Sequence, residues 1–330
     1  MLKPHYLLSA FKIFGKRDIT YAPLSQTDRR RKKMNNNPDS LLPFDLLFEK
    51  LNIKVVSPLG GRLNQHWLVD FKSERLVLRR WYKETHMDDI DYEVKLLKSI
   101  SELGWPVASV IEGPIELDGH TWGLFPYLYG EPPSVDNRAA EQRSRGRLMA
   151  EFHSDLKKLS GIGQRKGWRR CEEILSDYEL DRLLSEHEMQ NPEEIRILRW
   201  HLERARKRVE GMQLHSRPGI VIHGDFTPWN LRFQEGKLSG ILDFELAHWD
   251  HRVGDFALSW RGKYDEVIYG YDEVSPLEPV EWELLTPMWW AGLIENACKY
   301  MKEGIRDDGW IIKKLLERSP LMGQDAAPYR

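Results

Sequence analysis

Residues 221–245, VIHGDFTPWNLRFQEGKLSGILDFE, constrain this chain more than any other stretch. Val221-Ile222 reads as a short buried strand that runs into a polar loop. Pro228 stiffens that loop by fixing its own φ. Leu231-Arg232-Phe233 then alternates as a half-buried strand does, and Glu235-Gly236-Lys237 supplies a hairpin turn into an apolar run over 238–242. Three polar side chains punctuate this frame. Asp225 follows His223-Gly224, Asn230 lies five residues further on, and Asp243 closes the second apolar run ahead of Phe244-Glu245.

Taken singly, each has an ordinary explanation: Asp225 and Asn230 as turn residues, Asp243 as a strand-end cap. Taken together they match a chemical requirement. Transfer of a γ-phosphoryl group needs a carboxylate beside the attacking hydroxyl and hard oxygen ligands for Mg²⁺ around the phosphates. A rigid loop followed by a hairpin brings one acid and two such ligands to one place, so the joint spacing predicts a phosphoryl-transfer site. Protein kinases write the same frame as H-R-D-x-x-x-x-N and then D-F-G; here it reads H-G-D-x-x-x-x-N and then D-F-E.

VIHGDFTPWNLRF followed by GILDFELAHWDHRVGDFALSW resembles the aminoglycoside phosphotransferase and choline kinase family, from about Pro58 to the end and most strongly over 221–260. The resemblance implies an α+β, bilobal protein-kinase-like fold, with a small antiparallel-sheet lobe and a larger, mostly helical one. It implies ATP, or GTP, with Mg²⁺ as cofactors, and a small-molecule hydroxyl as acceptor. On this reading Asp225 is the base, Asn230 and Asp243 hold the metal, and His223 and Asp255 support the catalytic loop.

Upstream, the candidate nucleotide residues are less marked. Gly60-Gly61 in SPLGGRLN is by itself an ordinary hairpin turn, and resembles the family's G-G-x-x-N turn over the phosphates. In Leu76-Val77-Leu78-Arg79, alternation puts Val77 and Arg79 on one face, where kinases carry Ala and Lys; a surface arginine is the competing reading. Glu93 lies along the apolar stripe of a helix, with Ile90, Leu97 and Ile100, and a carboxylate there wants a cation. Arg79 is the expected partner. Strands are expected at 110–113 and 122–125 around Asp118-Gly119. By resemblance, the carbonyl of Pro126 and the amide of Leu128 would meet the nucleotide base in a hinge.

The expected organisation is a basic tail over 1–40, a nucleotide-binding lobe over 41–128 opening on a short helix at 41–51, and a catalytic and acceptor-binding lobe over 129–330 with a helical insertion at about 171–210. Acids crowd that insertion; by resemblance they would wall a cationic acceptor, and by composition they equally solvate a helix face. The net charge of −2 gives no footprint for nucleic acid, and no apolar run is long enough to cross a membrane. Cys171 and Cys298 stand far apart, which suits the cytoplasm and argues against a disulfide scaffold or a zinc site. Homoserine, choline and methylthioribose kinases share these motifs, and a nucleotide-binding pseudokinase remains a non-enzyme alternative. Oligomeric state is not encoded in any of them.

Overall fold

The computed structural model describes residues 51–61, 63–136, 138–305 and 308–323. The expected basic tail, and the lead-in helix up to its last residue, lie outside them. The described residues form two compact units, one of 51–85 with Val110–Tyr127 and one of His86–Ser109 with 128–323. Of the lobe expected over 41–128, the strands make up the first unit, while the helix at 87–102 groups with the second.

The smaller unit is a five-stranded antiparallel sheet. Its strands are β1 (Lys54–Gly60), β2 (Gln65–Phe71), β3 (Glu74–Arg80), β4 (Glu112–Leu117) and β5 (His120–Pro126), in the order β1-β2-β3-β5-β4. Two turns fix the register. Lys72-Ser73 and Asp118-Gly119 both hold positive φ at each central residue, the mirror-image turn whose twist suits a hairpin. One face of the sheet closes on Ile53, Val69, Leu76, Leu78, Trp122 and Leu124. The expected strand at 110–113 begins at Glu112 and runs on to Leu117, with an irregular register between Glu112 and Ile115.

The larger unit opens with α1 (Met87–Glu102), whose first turn carries Asp88 and Asp89, favourable to the helix dipole. Then come α2 (Arg138–Leu156), the insertion helices α3 (Cys171–Leu175), α4 (Tyr178–His187) and α5 (Pro192–Val209), and strand β6 (Ile220–Ile222). The hairpin β7 (Leu231–Gln234) and β8 (Lys237–Ile241) follows, then β9 (His248–Asp250), which pairs antiparallel with β6. Helices α6 (Phe256–Trp260), α7 (Glu266–Val274), α8 (Pro279–Glu303) and α9 (Trp310–Leu316) complete it. Trp289 and Trp290 are sealed in the core of this unit.

Candidate active site

The catalytic loop starts where β6 ends. Asp255, at the head of α6, is fully buried and accepts from the backbone amides of His223 at 2.8 Å and Gly224 at 2.7 Å. His153 of α2 bonds the same carboxylate at 2.8 Å through Nε2, while its Nδ1 lies 3.0 Å from the Tyr271 hydroxyl. Burial alone would raise the Asp255 carboxyl; the His153 ring and the His223 group outweigh it and hold the carboxyl below its ordinary value. Gly224 cannot carry a side chain, because its φ is +80° and a Cβ would lie 2.6 Å from the Leu246 carbonyl.

His223 is also a strut. Its Nδ1 accepts from the Asp225 amide at 3.1 Å, so the proton sits on Nε2 and is donated to the Leu242 carbonyl at 2.9 Å. Burial lowers the pKa of this ring, which keeps it neutral. One imidazole thereby joins the main chain of Asp225 to that of Leu242, the residue that precedes Asp243.

Asp225 itself is buried. Its Oδ2 accepts from Asn230 Nδ2 at 3.0 Å, and the same nitrogen reaches the Asp225 carbonyl at 2.9 Å. Its Oδ1 is buried without a hydrogen-bond partner among the described residues. Burial raises this carboxyl, outweighing the opposing charge of Arg261 and the hydrogen bond from Asn230. Asn230 spends its nitrogen on Asp225, so its side-chain oxygen is the atom left for a cation.

Asn230 and Asp243 are neighbours across the hairpin. Leu231 pairs with Ile241, and one step outward the Leu242 amide donates to the Asn230 carbonyl at 2.8 Å. The turn that makes this possible is Glu235-Gly236, both at positive φ. Asp243 is exposed and held at φ 66°, ψ 68°, a left-handed conformation that costs a non-glycine residue about 1–2 kcal/mol. Strain of this kind persists where the surroundings over-determine it.

The other expected residues fall into two groups. In the small unit, Gly61 sits at φ +130° and a Cβ there would lie 1.9 Å from the Asn64 carbonyl, so this turn requires glycine. Gly60 precedes it at φ +90°, and the Asn64 side chain ties the turn to the Tyr82 amide at 2.9 Å. Arg79 is buried on β3 with its guanidinium 5.1 Å over the Trp81 ring. Opposite Arg79 in register stands Gly123, where a Cβ would strike Trp81 at 2.7 Å. Pro126 ends β5. In the large unit, Glu93 is buried on the packed face of α1 beside Ile90 and Leu97. Leu128 lies over Gly240, and the chain beyond it is fastened to the hairpin by the Ser239 hydroxyl on the Tyr129 carbonyl at 2.6 Å and by paired bonds between Glu131 and Phe233.

Two buried arginines have no place in the motifs. Arg165 donates to Asp89 at 2.8 Å and to the Glu245 carbonyl at 2.6 Å, tying α1 to the segment just after Asp243. Arg145 reaches the catalytic loop from α2. Neither role has a sequence signal, since the contacts with the catalytic loop and with the segment after Asp243 each join residues more than 70 positions apart.

Residues 54–272 match the model described as the phosphotransferase enzyme family, APH. The chain belongs to that family. It is 25% identical over 292 residues, 79% of this chain and 83% of the relative, to the homoserine kinase of Chelativorans sp. (strain BNC1). A second homoserine kinase, from Phenylobacterium zucineum (strain HLK1), is 25% identical over 249 residues, 67% of this chain and 71% of the relative. Among solved structures, a thermostable mutant of aminoglycoside phosphotransferase APH(4)-Ia in ternary complex with ADP and hygromycin B superposes with a TM-score of 0.63 at 13% identity, covering 86% of this chain and 99% of that one. The GDP complex of aminoglycoside 2'-phosphotransferase-IIIa gives a TM-score of 0.61 at 16% identity, covering 87% and 97%. This phosphotransferase therefore has the expected bilobal α+β fold and is a nucleotide-dependent small-molecule kinase with an alcohol group as acceptor. Among the described residues, no helix is long and apolar enough to cross a membrane.

Proposed function

We propose that this phosphotransferase uses Mg²⁺ and ATP to phosphorylate a hydroxyl of a small metabolite, with Asp225 as the base, and that homoserine is the first acceptor to test. The observation that carries this reading is the Asp225 carboxylate, which keeps Oδ2 on Asn230 and leaves a buried Oδ1 without a protein partner among the described residues. A buried acceptor atom left unsatisfied is costly, and a catalytic role is one recognised reason for keeping one. Its raised pKa makes the carboxylate a better proton acceptor than an exposed aspartate.

The donor set fits Mg²⁺: the Asn230 side-chain oxygen and the Asp243 carboxylate are hard ligands on adjoining ends of one hairpin, and Mg²⁺ takes few protein ligands beside phosphates and water. When bound, the ion neutralises charge on the transferred group. The protein's own part is to hold the acceptor hydroxyl at Asp225 Oδ1 and receive its proton there. On this reading Arg79 clamps phosphates, the Gly60-Gly61 turn covers them, and the Pro126 carbonyl and Leu128 amide meet the base. ATP and GTP are to be compared, since one similar enzyme was solved with GDP.

Homoserine leads because both curated relatives reported above are homoserine kinases. The acids of the insertion favour the solvated-face reading over a cationic acceptor. Asp177 pairs with Arg169 at 2.6 Å, Asp181 with Arg206 at 2.8 Å and Glu188 with Arg199 at 2.8 Å. Buried free thiols at Cys171 and Cys298 fit a cytoplasmic enzyme. The deciding experiment measures Mg²⁺-dependent phosphoryl transfer from ATP and GTP to homoserine, choline, methylthioribose and aminoglycosides, with Asp225→Asn as control. Turnover lost in the control establishes the base. Turnover retained removes Asp225 from the reaction, and nucleotide binding with no transfer to any acceptor favours the pseudokinase alternative.

A further inference from the structure

Arg145 is a buried cation inside the larger unit, brought there by a close helix crossing. Where α2 crosses α7, a Cβ on Gly146 would lie 2.0 Å from the Val267 carbonyl, and a Cβ on Gly270 would lie 2.0 Å from the Arg143 carbonyl. Only paired glycines allow that approach. It sets Arg145, itself 5% exposed, under the catalytic loop. The Nε of Arg145 donates to Glu141 at 2.7 Å, one turn earlier on α2. Its Nη1 donates to the Ser259 hydroxyl oxygen at 3.0 Å and to the Phe226 carbonyl at 3.4 Å. Ser259, on α6, gives its own hydroxyl proton to the same Phe226 carbonyl. One carbonyl, immediately after Asp225, thus receives two donors.

The loop is consequently held on both sides of its acid. Upstream, Asp255 accepts the His223 and Gly224 amides; downstream, Arg145 and Ser259 grip the Phe226 carbonyl. Rotation of the main chain at Asp225 has to break one of these anchors. A buried ion pair such as Arg145–Glu141 is no more stabilising than well-packed apolar side chains, so bulk stability gives little reason for a cation here.

We propose that Arg145 and Ser259 are positioning residues for phosphoryl transfer, which lock the Phe226 carbonyl and so set the direction from which Asp225 meets the acceptor hydroxyl. The proposal rests on the reading of Asp225 as the base. The test uses the full chain in three forms: Arg145→Met with Glu141→Leu, which removes the ion pair as a unit, Ser259→Ala, and Asp225→Asn. Two readouts are taken, amide hydrogen exchange over 223–230, and kcat and KM for ATP with Mg²⁺, using homoserine and, separately, water as acceptor. Both clamp variants are expected to exchange faster in the loop while the α2 and α7 amides stay protected. For the double variant kcat should fall about tenfold to hundredfold, and for Ser259→Ala several-fold, with the KM for ATP within about twofold of the parent. Loop exchange unchanged in both clamp variants, or kcat unchanged in both while Asp225→Asn is inactive, overturns the proposal. A merely structural role would instead raise exchange throughout the unit and move kcat and KM together. Turnover retained in Asp225→Asn also overturns it, by removing the base, and is told apart from failure of the lock by that control alone.

Discussion

A carboxylate that is buried to do chemistry is a burden on the fold, and Asp225 illustrates the sign of that burden. Its folded pKa lies above the unfolded one, so the folded state favours the protonated form and loses stability as pH rises through the unfolded and then the folded value. Asp225→Asn is therefore expected to raise Tm at neutral pH while cutting kcat about a hundredfold or more, a combination that calorimetry and turnover measured together will check. The activity limb runs the other way: the base works only when ionised, so kcat should fall with decreasing pH at a pKa above that of an ordinary aspartate. Asp255 has the opposite sign. Its lowered carboxyl contributes stability that is full above the unfolded aspartate pKa and lost as pH falls through the folded one, and Asp255→Ala should cost about 3–5 kcal/mol because two amides and His153 lose their acceptor. Asp225, Asn230 and Asp243 were legible because their spacing lies within one loop and hairpin. Arg145 and Arg165 were not, since their partners are set by helix packing that no short motif records.

At the scale of elements, turns were easier to foresee than strand ends. Asp118-Gly119 and Glu235-Gly236 have local chemistry that dictates their backbone, and both form the expected hairpins. The strand entering the first of them was misplaced by two residues at its start, where pairing is irregular and depends on the neighbouring strand. Helix glycines also divide by context. Gly146→Ala should destabilise by about 1–3 kcal/mol, because the crossing of α2 and α7 has no room for a methyl group. Gly292, inside α8, has nothing within 4 Å of its would-be Cβ, so Gly292→Ala should stabilise by about 0.5–1 kcal/mol. Thermal melts of the two variants, run side by side, separate packing from helix propensity.

For the molecule as a whole, the α+β class and the reaction type followed from one contiguous stretch, whereas the acceptor did not, because it is chosen by surfaces assembled from distant helices. Binding supplies a global readout of the metal assignment. Mg²⁺ with ATP at a hundred times its Kd should add about 2.7 kcal/mol to the folded state. In Asp243→Ala, or in the parent with a chelator, most of that Mg²⁺-dependent increment should vanish, and a melt that still responds fully to Mg²⁺ would remove Asp243 from the metal site. Asp243 also occupies a left-handed conformation that glycine would adopt without strain, and Asp225 is a buried charge that asparagine would relieve. Selection for heat resistance and selection for turnover therefore pull against each other at both positions: a library screened only for survival of heating will enrich Asp243→Gly and Asp225→Asn, and its hardiest members will be dead enzymes.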